Sequence, residues 1–249
     1  MNVALAAIAA APGLAIGSFL NVVASRLPLR RPIGASRSEC MSCAAPIAWY
    51  DNVPLVSYAV LRGRCRACAA TIPARYPLVE GVSAVLVAAC VLRFGPTAEA
   101  AVAAFFCLVL VAVSAIDVEH RIVPNRIVVP AAAIVLVAQT VLQPSPEWLL
   151  GALGAAGVLF LAALAYPRGM GMGDVKLALL LGAMLGRTVG VALGVGLVAA
   201  LVPAAILTAR HGRDARRMAI PFAPFLALGG VVALLAGDEI LDWYLGLMR

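Results

Sequence analysis

The stretch GMGMGDVK at positions 169–176 places an aspartate and a lysine at a glycine-rich break in a strongly apolar chain. Apolar runs at 148–166 and 175–187 lie on its two sides. Of the 249 residues, 63% are hydrophobic and 12% are charged, whereas a soluble domain is about 45–50% apolar and about 25% charged. The composition therefore predicts a membrane protein whose apolar runs cross the lipid bilayer.

The apolar segments predict an all-α polytopic membrane protein with about eight transmembrane helices. A spanning helix needs about 20 apolar residues, within a range of about 17–25. The candidate spans are 3–24, 77–93, 99–116, 127–143, 148–166, 175–187, 189–209 and 221–236. The sixth span is short, so we expect it to be tilted, re-entrant or continuous with the seventh.

The basic residues predict which side of the membrane each loop faces, because cytoplasmic loops are enriched in Lys and Arg. The first charged side chain is Arg26. A secretory signal begins with positive charge, so the N-terminal segment is interpreted as a retained first helix. With the N-terminus outside, all but Arg93, Arg187 and Arg249 of the 19 basic residues fall inside. The net charge of +7 then needs no nucleic-acid partner, and the expected partner is the lipid bilayer.

Two CxxC pairs lie in the polar segment 25–76, between the first two spans. The pairs are Cys40 with Cys43 and Cys65 with Cys68, a spacing that predicts a zinc site with four thiolate ligands. Such a site has no open coordination position, so the zinc is expected to be structural and to order a segment too small for a large core. The alternatives are disulfides, which need an oxidising compartment, and a redox CxxC, which needs a βαβ context.

These features predict three parts along the chain. They are a first transmembrane helix at 1–24, a cytoplasmic zinc-binding domain at 25–76 and a polytopic membrane domain at 77–249.

Acidic side chains at the cytoplasmic ends of spans are the candidate chemical groups, since the chain has no HExxH and no GxSxG motif. Asp117 and Asp174 lie at the ends of different spans on the same predicted side of the membrane. Two carboxylates brought together can divide the roles of acid and base, as in an aspartic protease. Ion or proton translocation by the same pair is the competing interpretation. Glu80 is interpreted as a partner of Arg75 or a charge at a helix N-terminus, and Glu119 as a solvated charge at a helix end.

Several motifs in chain order resemble the prepilin peptidase family, also called type IV leader peptidases. Asp117 with the following Ile122-Val-Pro-Asn125 resembles the block of the first catalytic aspartate. Residues 171–174 match the GxGD motif that carries the second. The other matching motifs are GSFLNVVASRLP at 17–28, WYDNVPLVSY at 49–58, RGRCRAC at 62–68, RYPLVEG at 75–81 and PFAPFLALGG at 221–230. Two departures from the family pattern concern the CxxC pairs: the first, CMSC, lacks the proline often found inside it, and the second is followed by Ala69 where glycine is common.

The resemblance implies a membrane-embedded aspartic endopeptidase of the bacterial inner membrane. It would cleave the leader from type IV prepilins or type II secretion pseudopilins at the cytoplasmic face, with Asp117 and Asp174 as catalytic residues. Gly171, Gly173, Lys176 and Glu80 are the expected supporting residues, and Glu80 would help to attract the basic leader.

Many members of the family also methylate the new N-terminus with S-adenosylmethionine as the methyl donor, so that cofactor is expected here. The sequence places no donor site, because no Gly-rich nucleotide loop on a strand is visible. Two roles stay open for Lys176: it extends to the cytoplasmic face, or its charge biases the protonation of the aspartates. The alternative function from a different class is a multi-span transporter or channel with a zinc-bound regulatory loop.

Overall fold

A computed structural model describes residues 2–34, 38–167, 170–212 and 220–247 of the chain. In these ranges the secondary structure is helical apart from two isolated β-bridges. The helices are α1 (Asn2–Arg26), α2 (Val56–Val60), α3 (Arg75–Phe94), α4 (Ala98–His120), α5 (Asn125–Leu142), α6 (Glu147–Ala165), α7 (Met172–Leu185), α8 (Val189–His211) and α9 (Ala223–Leu247). Short 3-10 turns cover Trp49–Asn52 and Gly186–Thr188. Basic residues of the charge argument that lie outside the described ranges are Arg37, Arg168, Arg213, Arg216, Arg217 and Arg249.

The chain forms two compact units, Met1–Ala100 and Ala101–Arg249. We call them the N-terminal unit and the C-terminal unit. The division of the chain at 24 and 76 stays a prediction.

In the N-terminal unit, α1 packs along α3 at very short range. A Cβ atom at Gly17 would lie 2.8 Å from the Cα atom of Glu80 and 3.0 Å from the side chain of Ser83. Such close approach needs a residue without a side chain, as at the helix interfaces of membrane proteins. The four cysteines lie in the segment between these two helices.

In the C-terminal unit, α6 packs on α7 and α8 packs on α9. The side chains of Phe106 and Leu110 from α4 and Leu181 from α7 are fully buried against α9 at Gly230. A Cβ atom at Gly182 would overlap the carbonyl group of Gly151, so α6 and α7 are in backbone contact. This packing holds the first turn of α7 in a defined position relative to α4 and α9.

Among the described residues, seven helical stretches are long and apolar enough to cross a membrane, so the chain is a multi-pass membrane protein. The expectation of about eight spanning helices is close. The difference lies in residues 172–211, which count as one 40-residue stretch although α7 and α8 are separate helices. The 14 residues of α7 span about 21 Å, less than the roughly 30 Å of hydrocarbon. Gly186, with φ of 52°, ends α7 and begins the 3-10 turn that leads into α8.

Candidate active site and candidate metal centre

Asp117 is a buried carboxylate near the C-terminal end of α4. Asp117 is only 6% exposed. Its Oδ2 accepts a hydrogen bond of 3.1 Å from the backbone N–H of Ala223. Ala223 is the first residue of α9. The first N–H groups of a helix lack partners within the helix and carry partial positive charge, so they are suited to hold a carboxylate. The start of α9 therefore helps to hold the Asp117 carboxylate in place.

Asp174 lies in the first turn of α7 and is half-buried. Its backbone N–H donates to the carbonyl of Gly171 at 3.1 Å, which closes the turn that begins the helix. The carboxylates of Asp174 and Asp117 are near enough to interact electrostatically. The structure thus brings together the two aspartates that the sequence selected, although they stand 57 positions apart.

The segments that carry the two aspartates contact each other at two further points. A Cβ atom at Gly173 would lie 2.7 Å from the Cβ atom of Val123. The Lys176 ammonium donates a hydrogen bond of 2.9 Å to Oδ1 of Asn125, the first residue of α5. These contacts hold the segment after Asp117 beside the segment that carries Asp174.

The supporting glycines differ from each other. Gly173 is packed against Val123, whereas a Cβ atom at Gly171 would have no heavy-atom neighbour closer than 3.8 Å among the described residues. The sequence analysis named both glycines as supporting residues of the site. The structure gives Gly173 a packing role within the chain.

Sequence reasoning did not find Asn125 or Ala223 as parts of the site. Both lie in motifs that matched the family, Ile122-Val-Pro-Asn125 and PFAPFLALGG. The role of Ala223 is carried by its backbone N–H, so no side-chain pattern could have indicated it.

Two adjacent carboxylates, one of them held by a helix N-terminus, can exchange the roles of acid and base toward a bound water.

Glu80 and Glu119 lie in different surroundings. Glu80 belongs to the N-terminal unit and is only 8% exposed. Its Oε2 accepts a hydrogen bond of 2.8 Å from the backbone N–H of Leu55. Glu119 is exposed, with Oε2 at 3.6 Å from Nε2 of His120. Glu80 is therefore an internal carboxylate that ties α3 to the segment before α2.

The four cysteines of the two CxxC pairs form one cluster. All four Sγ atoms lie within 4.8 Å of one another, and the Sγ atoms of Cys40 and Cys68 are 3.8 Å apart. A tetrahedral zinc site with Zn–S bonds of about 2.3 Å separates its sulfurs by about 3.8 Å. The cluster therefore fits zinc, and it could bind a metal through the ligands predicted from sequence: Cys40, Cys43, Cys65 and Cys68.

The two CxxC turns have the same backbone structure. In each, the N–H of the first cysteine donates to a carbonyl five residues later, Ala45 in one turn and Ala70 in the other. In each, the residue after the second cysteine is left-handed, with φ of 55° at Ala44 and 56° at Ala69. This repeat places two sulfurs on one side of each turn, as a metal site with two knuckles requires.

The surroundings of Cys40 favour its metal-binding form. Backbone hydrogen bonds from Cys43 and Ser42 lower the pKa of the Cys40 thiol to about 6, whereas side-chain hydrogen bonds with the other cysteines, first Cys43, raise the pKa of the Cys68 thiol to about 12. The thiolate is the form that binds metals.

Two family models match this chain, one over the residues of the candidate metal centre and one over the residues of the candidate active site. Residues 12–94 match the Bacterial Peptidase A24 N-terminal domain, and residues 104–209 match the Type IV leader peptidase family. The first match contains the four cysteines and Glu80, and the second contains both aspartates.

Similar proteins extend over almost the whole chain. A prepilin leader peptidase/N-methyltransferase of Bacillus subtilis is 37% identical over 239 residues, which cover 94% of this chain and 95% of that protein. A protein of the same name from Pseudomonas putida is 36% identical, covering 92% and 89%. No solved structure matches. The comparisons give no support to a transporter or channel, and the chain belongs to the type IV leader peptidase family.

Proposed function

We propose that this protein is an aspartic endopeptidase that removes the leader from type IV prepilins or type II secretion pseudopilins, with Asp117 and Asp174 as its catalytic pair. The observation that carries the proposal is the pairing of the two carboxylates in a member of the leader peptidase family. Asp117 is held by the N–H of Ala223, and Asp174 lies beside it in the first turn of α7.

The paired carboxylates supply the chemistry of peptide hydrolysis. The ionised aspartate takes a proton from water, and the water oxygen attacks the scissile carbonyl. The protonated aspartate donates its proton to the leaving nitrogen, so the peptide bond breaks and the pair is ready for another cycle. Since the pair titrates as a unit, the proton belongs to both aspartates together.

The predicted location follows from the charge distribution. With the N-terminus in the periplasm, the basic loops, the cysteines and both aspartates lie at the cytoplasmic face of a bacterial inner membrane. The apolar N-terminal helix of a prepilin would enter from the bilayer, and its basic leader would stay at that face. Exposed acids such as Glu119 can attract the leader there.

The cysteine cluster is proposed to bind a structural zinc ion. Four thiolates fill its coordination sphere, so the metal would supply folding free energy and take no part in hydrolysis. Replacement of Cys40 by Ser should remove zinc and destabilise the segment 25–76. Absence of zinc from protein purified without chelators would overturn this part.

N-methylation of the mature pilin is the second proposed activity. Its support is the name shared by the relatives that match almost the whole chain. S-Adenosylmethionine is the proposed methyl donor.

The peptidase proposal is tested by co-expression with a prepilin and mass spectrometry of the product. Asp117→Asn and Asp174→Asn should each abolish cleavage while the protein still inserts in the membrane, because neither amide can take up or release the proton. Asp238→Asn is the matched control. It removes an exposed carboxylate of the same unit, paired with Arg187 at 2.6 Å, and should leave cleavage unchanged. Full processing by either active-site variant would refute the assignment.

A further inference from the structure

The outward face of α3 shows where this helix meets the lipid. Its exposed apolar side chains begin at Leu78 and continue through Val82 and Val85. The spacing i, i+4, i+7 places these three side chains on one side of the helix. Because α3 is one of the membrane spans, this stripe faces lipid. Lipid contact therefore begins at about Leu78, in the first turn of α3.

The start of α2 lies at the depth of this lipid-facing stripe. Glu80 follows Leu78 by two residues, which is about 3 Å farther along the helix. Its Oε2 accepts the hydrogen bond of 2.8 Å from the backbone N–H of Leu55. Leu55 is the residue immediately before α2. This bond draws α2 to the level at which α3 is already in contact with lipid, although α2 belongs to the polar segment between the two spans.

The short helix α2 has one apolar face that is exposed at this level. Val56 is 57% exposed and Val60 is 69% exposed, and residues four apart lie on the same face of a helix. The opposite side of α2 packs inward. Ser57 is buried, and Tyr58 lies against Gly63, where a Cβ atom would be 2.9 Å from the tyrosine hydroxyl. The two valines are therefore in contact with lipid at the depth that the Leu55 bond imposes.

Trp49 gives the neighbourhood of α2 a side chain suited to the same boundary. It is 82% exposed and lies in the 3-10 turn Trp49–Asn52, which contacts α2. Tryptophan is enriched where membranes meet water, because its ring is apolar and its N–H is polar. We call Trp49, Val56 and Val60 together the interfacial residues.

The charges of this segment complement the phosphates of lipid headgroups. Residues 27–74, between α1 and α3, contain six arginines and two carboxylates. One carboxylate, Asp51, is already paired with Arg66 through hydrogen bonds of 2.8 and 2.6 Å. Arg62 and Arg64, which follow α2, are exposed and make no ion pair or side-chain hydrogen bond with another residue that the structure describes. A guanidinium donates well to phosphate, and its apolar stem can lie along lipid. The basic leader of a prepilin would be repelled here.

We propose that α2 is an interfacial anchor that seats the cysteine segment on the bilayer. The interfacial residues enter the boundary between headgroups and acyl chains, and Arg62 and Arg64 bind headgroup phosphates. Interfacial helices bury their apolar face about 5–10 Å into this boundary. The anchor keeps the cysteine cluster at the membrane surface. The inference depends on the membrane crossing of α1 and α3 and is independent of the proposed peptidase and methyltransferase activities.

The test uses full-length protein in nanodiscs of phosphatidylethanolamine and phosphatidylglycerol. The photoreactive residue p-benzoylphenylalanine is incorporated separately in place of Val56, Val60, Tyr58 or Val85, and irradiated samples are analysed by mass spectrometry of peptides. Val85 on the lipid face of α3 is the positive control. Tyr58 is the matched control, because it lies on the same short helix and points inward. Phospholipid adducts are expected at positions 56, 60 and 85, whereas position 58 should crosslink to other peptides of the N-terminal unit.

Other crosslinking results would overturn the anchor. They are lipid adducts at position 85 but not at 56 and 60, equal lipid adducts at 58, or adducts at 56 and 60 to a prepilin or a second copy of the chain. Zinc content and thermal unfolding show whether each variant is folded.

Trp49 fluorescence decides if the variants at 56 and 60 fail to fold. Nanodiscs are prepared with phosphatidylcholine brominated on the acyl chain near the headgroup, which quenches tryptophans in contact with it. The difference in emission between wild type and Trp49→Phe reports Trp49 alone. Loss of this difference in brominated nanodiscs supports the anchor, and full retention of the difference overturns it. Neither measurement requires prepilin cleavage or methylation.

Discussion

The hydrogen bond from Lys176 to Asn125 predicts that Lys176 positions Asp174 and does not act by shifting the protonation of the aspartates. The bond is 2.9 Å long and joins the first turn of α7 to the start of α5. A hydrogen bond to a charged group contributes about 1.5–3 kcal/mol when buried. Asn125 is exposed and Lys176 is half-buried, so we expect a value near the lower limit, about 1–1.5 kcal/mol. Lost positioning of that size lowers kcat/KM by roughly 5–10-fold, at 1.36 kcal/mol per tenfold.

The assay is a double-mutant cycle on prepilin cleavage with Lys176→Met, Asn125→Leu and the double variant. If the bond holds the site together, kcat/KM falls about 5–10-fold in each single variant. It falls little further in the double variant, because the contact is already gone. Asn125→Asp should keep the activity that Asn125→Leu loses, since the carboxylate still accepts a hydrogen bond from the Lys176 ammonium.

A pH profile separates the two remaining roles of Lys176. Loss of a contact lowers the rate at every pH and leaves the profile in place. Loss of a positive charge near the aspartates would shift the profile of Lys176→Met toward higher pH, and Asn125→Leu would show no such shift. Additive losses together with that shift would refute the positioning role.

Three further predictions follow from local geometry. Gly173→Ala should lower prepilin cleavage and the melting temperature, because its Cβ would lie 2.7 Å from that of Val123 and overpacking costs about 1–3 kcal/mol; wild-type cleavage would contradict it. Ala69→Gly should slow zinc loss to a chelator, because the left-handed φ of 56° costs alanine about 1–2 kcal/mol, partly offset by the unfolded entropy of glycine; faster loss would contradict it. The hydrogen bond from Arg66 holds the pKa of Asp51 below its ordinary value of 3.8, so this pair stabilises the fold above about pH 4 and its contribution is lost as pH falls through the lowered pKa. Asp51→Asn should therefore flatten the acid side of a melting-temperature profile, and an unchanged profile would exclude the pair as a source of stability.

The sequence by itself determined the class of protein and the residues that could bind a metal or take part in a reaction. Apolar runs specify membrane helices because hydrocarbon forces every backbone polar group to be satisfied within the helix. The cysteines are identifiable because a metal site needs few ligands at short, regular spacing. Asp117 and Asp174 stand out because a carboxylate beside a membrane span is costly. The short sixth span was also visible as an anomaly, and it corresponds to α7.

Tertiary structure decided how these groups are held. The N–H of Ala223 reaches Asp117 only because α9 begins beside the end of α4. In sequence Glu80 was interpreted as a partner of Arg75 or a charge at a helix N-terminus. The close packing of α1 on α3 together with the Leu55 N–H makes it an internal carboxylate. Contacts of this kind use backbone groups and residues far apart in the chain. They leave no local pattern in the sequence, and the packing of helices alone brings them together.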